Sequence, residues 1–482
     1  MRFHRLIALC LPLLTACASP TLPPDLAKES LGLPDTFRAS GTEMAEIRWW
    51  RSFNDPQMDR LVLLALQDSP DLQATLWRLQ QSAAAARGAR AGFWPRLTGR
   101  LENTEQRRAD GDFDFEGSEN EGNTWSGRLA ASYEVDLWGR VRAGSKAAEA
   151  DYLAQEQNLQ TAALSLAAEV SIAWLELREQ WGQRDLLAQQ LEINRQTLQV
   201  LEMRFGRGVS AAADVLQQRQ LVQQSEQELQ QAEADIETLK VQLAALLGIS
   251  VQRLEPLVQT APGMPSMPAL PDTGVPGRLL LRRPDVQQAQ RELLADYYSA
   301  EQAWADRLPV ISLSAVASGG GPAISDIVDD WLLTLTAAVE GVIFDGGQLA
   351  AAQEQADAAL QERWALYRGT VIQALSEVEQ ALIREQAVLD RLRHLRERER
   401  LADMIVERQR RNYARGTVDF LNVLTATNSQ QSLARQILTA QRELLENRVT
   451  LYRALSGGLP WEDLPAAEPV ELELYRTGEL DA

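Results

Sequence analysis

The sequence predicts a mainly α chain with a membrane β-barrel portion, built as two copies of one unit. Each copy joins two β-strands to two very long helices. Three observations carry this reading. Landmarks recur at a nearly constant offset: Pro70 and Pro284, and Pro95 and Pro309, are 214 apart, and Gly208 and Gly416 are 208 apart. "LAALLG" (Leu243–Gly248) likewise answers "LYRALSG" (Leu451–Gly457). Such a period is the size of a domain, not of a solenoid repeat. Residues 96–255 and 323–459 contain no proline, as long helices require. Short runs between the helical stretches alternate apolar and polar residues with the period of a strand.

The elements follow in order. Residues 1–16 have the plan of a signal peptide: basic Arg2 and Arg5, then an apolar run from Leu6 to Leu14. "LTAC" (Leu14–Cys17) resembles a lipobox, whose Cys17 would become the acylated first residue. Ala18 follows, where an aspartate would resemble the inner-membrane retention signal, so the expected address is the outer membrane. An ordinary signal peptide that happens to contain Cys17 is the alternative. Residues 17–54 form a Pro-rich lead, long enough to run extended from a membrane anchor. The first copy, 55–250, reads as a helix to about Ala91, strands at 95–103 and 125–137, and helices at 141–205 and 210–248. A Pro-rich bridge spans 251–282. The second copy, 283–457, opens with a helix at 284–306, then strands at 308–318 and 331–343 and helices at 347–413 and 418–456. The tail, 458–482, is acidic and irregular.

Both copies pass from strand to helix without an ordinary loop. "YEVDLWGRVRAG" does so at Trp138 and Gly139, and "VEGVIFDGGQLAAAQEQA" at Asp345 and Gly346. Asp345 can cap the new helix, and Gly346 and Gly347 loosen the backbone at the change of direction. At 1.5 Å per residue the helices 141–205 and 347–413 each reach about 100 Å, which no compact domain needs. Their apolar stripes are narrow: Leu159, Ala162, Ala163, Leu166, Val170, Ala173 and Leu177 in one, Ala351, Ala358, Leu366, Val371, Leu375, Val378 and Leu382 in the other. Helices polar on two sides can wall a water-filled tube; a solid filament is the alternative.

The strands favour the tube. Leu97, Gly99 and Leu101 alternate with Arg96, Thr98 and Arg100; Leu333, Leu335 and Val339 lie opposite Thr334, Thr336 and Glu340. This is the pattern of a barrel with lipid outside and a polar lumen, with soluble hairpins as the alternative. Trp94, Trp125, Trp138 and Trp331 sit at strand ends, where interfacial aromatic belts belong. Four strands cannot close a membrane barrel, and an open edge in lipid is prohibitive, so the strands must be shared between chains.

Composition narrows the function. Cleavage before Cys17 removes Arg2 and Arg5 and moves the net charge from −19 to −21, which leaves no electrostatic claim on nucleic acid. Of two histidines, His4 lies in the signal and His394 in the charged run "LRHLRERER". No Cys/His cluster, phosphate loop or nucleophile elbow appears, so neither an enzyme nor a metal or other cofactor is expected.

The ordered set of lipobox, duplicated units, "EVDLWGRVR", "FDGG" and the "RG" turns resembles the TolC-like outer membrane factor family, in its NodT-type efflux lipoprotein branch. The resemblance implies a homotrimer whose twelve strands form one barrel in outer membrane lipid and whose helices form a periplasmic α-barrel. It further implies an inner-membrane pump and a periplasmic membrane-fusion adaptor as partners, and small toxic molecules as cargo. A type I protein-secretion duct and a structural envelope-spanning lipoprotein are the rival readings.

The resemblance also places gating and docking at the hairpin tips. Gly208 and Gly416 match the turn glycines. Asp214 matches an acidic position used in constriction or in links between helices, and Tyr413 a tyrosine that helps hold the closed state. Phe205 is its counterpart in the first copy. The second copy departs from the pattern, with Asn422 and Thr425 where acids recur and Asp419 nearer the turn. With Asp214 and Asp419 at the tip, three chains would set up to six carboxylates around one aperture, near Arg204, Arg207 and Arg415.

Overall fold

The structure is a computed structural model and describes residues 35–42, 46–107, 121–260 and 263–465. Cys17, the signal segment, most of the loop after the first strand and the tail beyond residue 465 lie outside the described residues.

In the first copy, α1 (Pro56–Asp68) and α2 (Pro70–Arg90) lead into β1 (Arg96–Arg107) and β2 (Glu121–Val135). The long helix α3 (Arg140–Gly206) turns into α4 (Ala212–Leu246). Short helices α5 (Val251–Leu254) and α6 (Pro276–Leu280) flank the bridge. The second copy runs α7 (Pro284–Ala305), β3 (Val310–Gly321), the short α8 (Asp326–Asp329) and β4 (Trp331–Glu340). It ends with α9 (Gln348–Ala414) and α10 (Phe420–Leu455). No helix among the described residues is long and apolar enough to cross a membrane.

The four strands form one antiparallel sheet in the order β1-β2-β3-β4, so the β2–β3 pairing joins the two copies. The register puts Leu97, Ala131, Ala315 and Leu335 on one row, and Arg96, Ser132, Ser314 and Thr336 on the next. One face is therefore apolar and the other polar, as the alternation predicts. β1 and β2 extend past the expected 103 and 125, because Asn103–Arg107 pair with Glu121–Trp125 in a polar ladder that no apolar alternation marks. β3 and β4 both stop at the pair Val310↔Glu340, short of the expected 308 and 343. Pro309 has no N–H to continue the ladder, and Val342, Ile343 and Phe344 project outward.

Both strand–helix joins are capped by an aspartate. Asp345 accepts hydrogen bonds from the N–H groups of Gly347 and Leu349, each at 2.8 Å. Those donors, Leu349 first, hold its carboxyl below the usual range. Asp136 does the same for α3, accepting from Val141 N and Arg142 N at 3.0 Å each. Gly139, Gly346 and Gly347 have φ of +80°, +67° and +92°, which a side chain disfavours. Trp138 braces the join by donating from Nε1 to the Pro309 carbonyl at 2.7 Å.

The largest core lies halfway along the long helices. Trp49, Trp50, Phe53, Met58 and Leu61 bury against Leu159, Trp174, Leu177 and Tyr452. In α3 the stripe Leu159, Ala163, Leu166, Val170, Ala173 and Leu177 is buried. In α9 the stripe holds at Val371, Val378 and Leu382 and is corrected before them: Ala351, Ala358 and Leu366 are exposed. The buried seam there is Leu360, Tyr367, Val371, Ala374, Val378 and Ala381. Its position is set by Leu280, Val286 and Leu293 from α6 and α7, which pack on that side of the helix.

The lead is also corrected, because its described part does not run free. Phe37 buries with Leu279, Val378 and Leu451, and Gly41 N donates to Pro271 O at 2.9 Å. Arg48 clasps Asp463 through Nε at 2.7 Å. Two buried arginines hold the bridge against the helices. Arg178 donates to Gly263 O and to Asp55 Oδ2, the latter at 2.7 Å. Arg448 pairs with Glu385 at 2.6 Å and donates to the carbonyls of Pro268 and Ala269.

Candidate functional site

The tip is two helical hairpins with the same turn. Val209 N donates to Arg204 O at 2.9 Å and Gly208 N to Phe205 O at 2.8 Å. In the second hairpin Thr417 N donates to Asn412 O at 3.0 Å and Gly416 N to Tyr413 O at 2.9 Å. Each pair is a Schellman closure, which needs a left-handed residue; Gly208 and Gly416 supply φ of +70° and +73°.

The hairpins are joined through Tyr413. Its hydroxyl lies 3.1 Å from Ser210 Oγ, and Ser210 Oγ donates to Asp214 Oδ2 at 3.1 Å. Ser210 has one proton and gives it to the carboxylate, so Tyr413 is the donor to Ser210. Asp214 also accepts from Ala211 N at 3.4 Å, at the start of α4. The guanidinium of Arg204 sits 5.0 Å from the centre of the Tyr413 ring. The ring meets Phe420 edge to face at 5.4 Å. Beneath them Leu201 and Val215 of the first hairpin bury with Phe420 and Val423 of the second.

The structure thus brings Tyr413, Asp214 and the Gly208 turn together, and leaves two of the other tip residues outside. Phe205 is half exposed and is not a second Tyr413. Asp419 is exposed at the N-cap of α10, where its side chain caps nothing. Asp214 is engaged in a hydrogen-bond chain and is not one of a pair of equivalent free carboxylates. Among the described residues Arg204 forms no ion pair, and its guanidinium stacks over the Tyr413 ring. Ser210 and Phe420 were not legible as site residues; the spacing Ser210-x-x-x-Asp214 was the available signal. Among the described residues no group of three His, Cys, Asp or Glu side chains is placed to hold a metal.

A sheet with one lipid-compatible face, fused twice to a helix of 67 residues that turns back at its tip into a shorter one, defines an envelope-spanning membrane protein. The family model described as outer membrane efflux protein matches residues 61–249 and 275–457, one stretch in each copy. The chain belongs to this family, the TolC-like outer membrane factors, and is an outer membrane protein. It is 32% identical over 461 residues to the pyoverdine export outer membrane protein OpmQ of Pseudomonas putida, covering 94% of this chain and 97% of that one. It is 27% identical over 435 residues to the toluene efflux pump outer membrane protein TtgF of Pseudomonas putida, covering 89% and 88%. The solved outer-membrane channel OprN superposes with a TM-score of 0.82 at 26% identity, over 92% of this chain and 99% of that one.

Proposed function

We propose that the protein is the outer membrane duct of a tripartite efflux system, a passive homotrimeric exit for small toxic compounds. The observation that carries this reading is the sheet. β1 and β4 are free edges of a four-stranded sheet with one apolar face, and three such sheets pair edge to edge into twelve strands. The polar faces then line a lumen that the long helices continue into the periplasm. An inner-membrane pump and a periplasmic adaptor supply the cargo at the tip. Exposed Met203, Val209, Leu216 and Leu421 offer the adaptor apolar contacts there. Cargo choice rests with the pump, in keeping with relatives named for pyoverdine and for toluene.

In this reading Tyr413, Ser210, Asp214 and Arg204 form a latch that holds the two hairpins of each chain together and the aperture narrow. Cys17 carries the acyl anchor. No catalytic residue is assigned. The test is the mass of the purified mature protein in detergent together with conductance in a planar bilayer. A trimer that conducts is expected; a well-folded monomer sinks the shared barrel, and a silent trimer leaves a scaffold.

A further inference from the structure

The polar face of β1 and β2 carries charge against the trend of the chain. The protein has 67 acidic and 48 basic residues, yet three arginines stand on this face of β1 and β2. Arg100 pairs directly with Arg128 across the ladder. Arg96 lies four residues along β1 on the same face, about 13 Å nearer the helices at the rise of a strand. Like charges set opposite one another weaken a sheet. Their register alternates with Leu97, Leu101 and Leu129, so they face away from the apolar side.

Glu102, Glu134 and Glu340 share this face, but none of them forms an ion pair with Arg96 or Arg128. Arg100 alone has a carboxylate partner, Glu102 at 3.1 Å. Arg96 and Arg128 are exposed and make no ion pair among the described residues. Glu134 is held by Arg140, at 2.8 Å through Nε. Glu340 stands at the far end of β4, opposite Val310. Arg100 and Arg128 border an open hollow of about 780 Å³ with Ser126 and Ser318, and Glu102 and Asp330 also line it. The Arg128 guanidinium there is free of ion pairs among the described residues, and its fork suits carboxylate or phosphate oxygens.

We propose that Arg96, Arg100 and Arg128 form an anion-binding belt inside the barrel, which engages multivalent organic anions on their way out. The belt rests on the duct reading above, since the trimer repeats the three arginines around one lumen. Low-dielectric walls then focus the field, so solutes bearing carboxylates or phosphates are drawn through the outer mouth and cations are held back.

The test uses the full-length protein in planar bilayers, with inositol hexakisphosphate as the multivalent anion and spermine as the cation. Hexakisphosphate added on the barrel side should block the wild-type channel, and the doubly substituted Arg96→Gln, Arg128→Gln protein should need about tenfold more. Arg128→Lys should retain the block, which separates charge from a change in fold. Spermine should block no better from the barrel side in the wild type than in the double variant. Equal hexakisphosphate block of wild type and double variant, in trimers of unchanged mass and conductance, would overturn the belt and leave the duct standing. A wild-type protein without conductance would remove the duct and the belt together.

Discussion

Substitution at Tyr413 separates the parts of the tip latch. Tyr413→Phe removes only the hydroxyl that lies 3.1 Å from Ser210 Oγ, and keeps the ring under Arg204 and against Phe420. A hydrogen bond of this kind is worth about 0.5–1.5 kcal/mol, so each latch should open roughly two- to tenfold more readily. Tyr413→Ala also loses an aromatic pair worth about 0.5–1.5 kcal/mol and a cation–π contact worth about 0.5–1 kcal/mol. The total, about 1.5–4 kcal/mol per chain, shifts the latch by at least tenfold. If three latches release together, their free energies add. The readout is single-channel open probability in a planar bilayer. Ser210→Ala also loses the bond to Asp214 within its own hairpin, but combining it with Tyr413→Phe should add little between the hairpins, because both remove the same Tyr413–Ser210 contact. Wild-type opening in Tyr413→Ala, or full additivity of Ser210→Ala with Tyr413→Phe, would refute the latch.

Further expectations concern the body of the protein. Asp55→Ala takes the carboxylate away from the buried Arg178 charge and should cost about 3–5 kcal/mol, whereas the double variant with Arg178→Met should recover part of that loss in a thermal unfolding series. Burial, opposed by Arg291, raises the Glu156 carboxyl above its usual range. A raised carboxyl favours the folded state only while protonated, so its contribution falls as pH rises past about 4.3, the unfolded value. Glu156→Gln should therefore raise the unfolding midpoint at pH 7 and lose that gain near pH 4; a gain equal at both would contradict the assignment. Cys17→Ser should abolish labelling by radioactive fatty acid yet leave a protein that inserts into the membrane, since the sheet also holds it; undiminished labelling would place the anchor elsewhere.

The fold was legible where one residue type can serve only one purpose. Paired prolines, turn glycines and strict alternation placed the two copies, because none of them depends on a distant partner. What escaped the sequence depends on partners. The α9 seam could not be read from Ala351, Ala358 and Leu366, since alanine is compatible with either face and the choice is made by α7. The lead resembled a tether because of the prolines up to Pro34, while its docking rests on Phe37, Trp49 and Trp50, which follow the last of them. Asp136 caps α3 as Asp345 caps α9, but it lies four residues before the helix and inside the strand's alternation, so its sequence position does not mark it as a cap. At the tip, composition revealed the acids but not their occupation, because whether Asp214 is free or spent depends on Ser210.

The two arginine clamps also define a mechanical geometry. Arg178 stands 28 residues before the end of α3, and Arg448 stands 28 residues after the start of α10. At 1.5 Å per residue each clamp is a pivot with an arm of about 42 Å. A tilt of about 5° at the pivot swings the end of such an arm by roughly 4 Å, the breadth of a side chain. Equal arms let both hairpins travel the same distance for the same rotation. In the proposed duct, aperture size becomes a lever readout of small rotations at the waist, far from the latch at the tip.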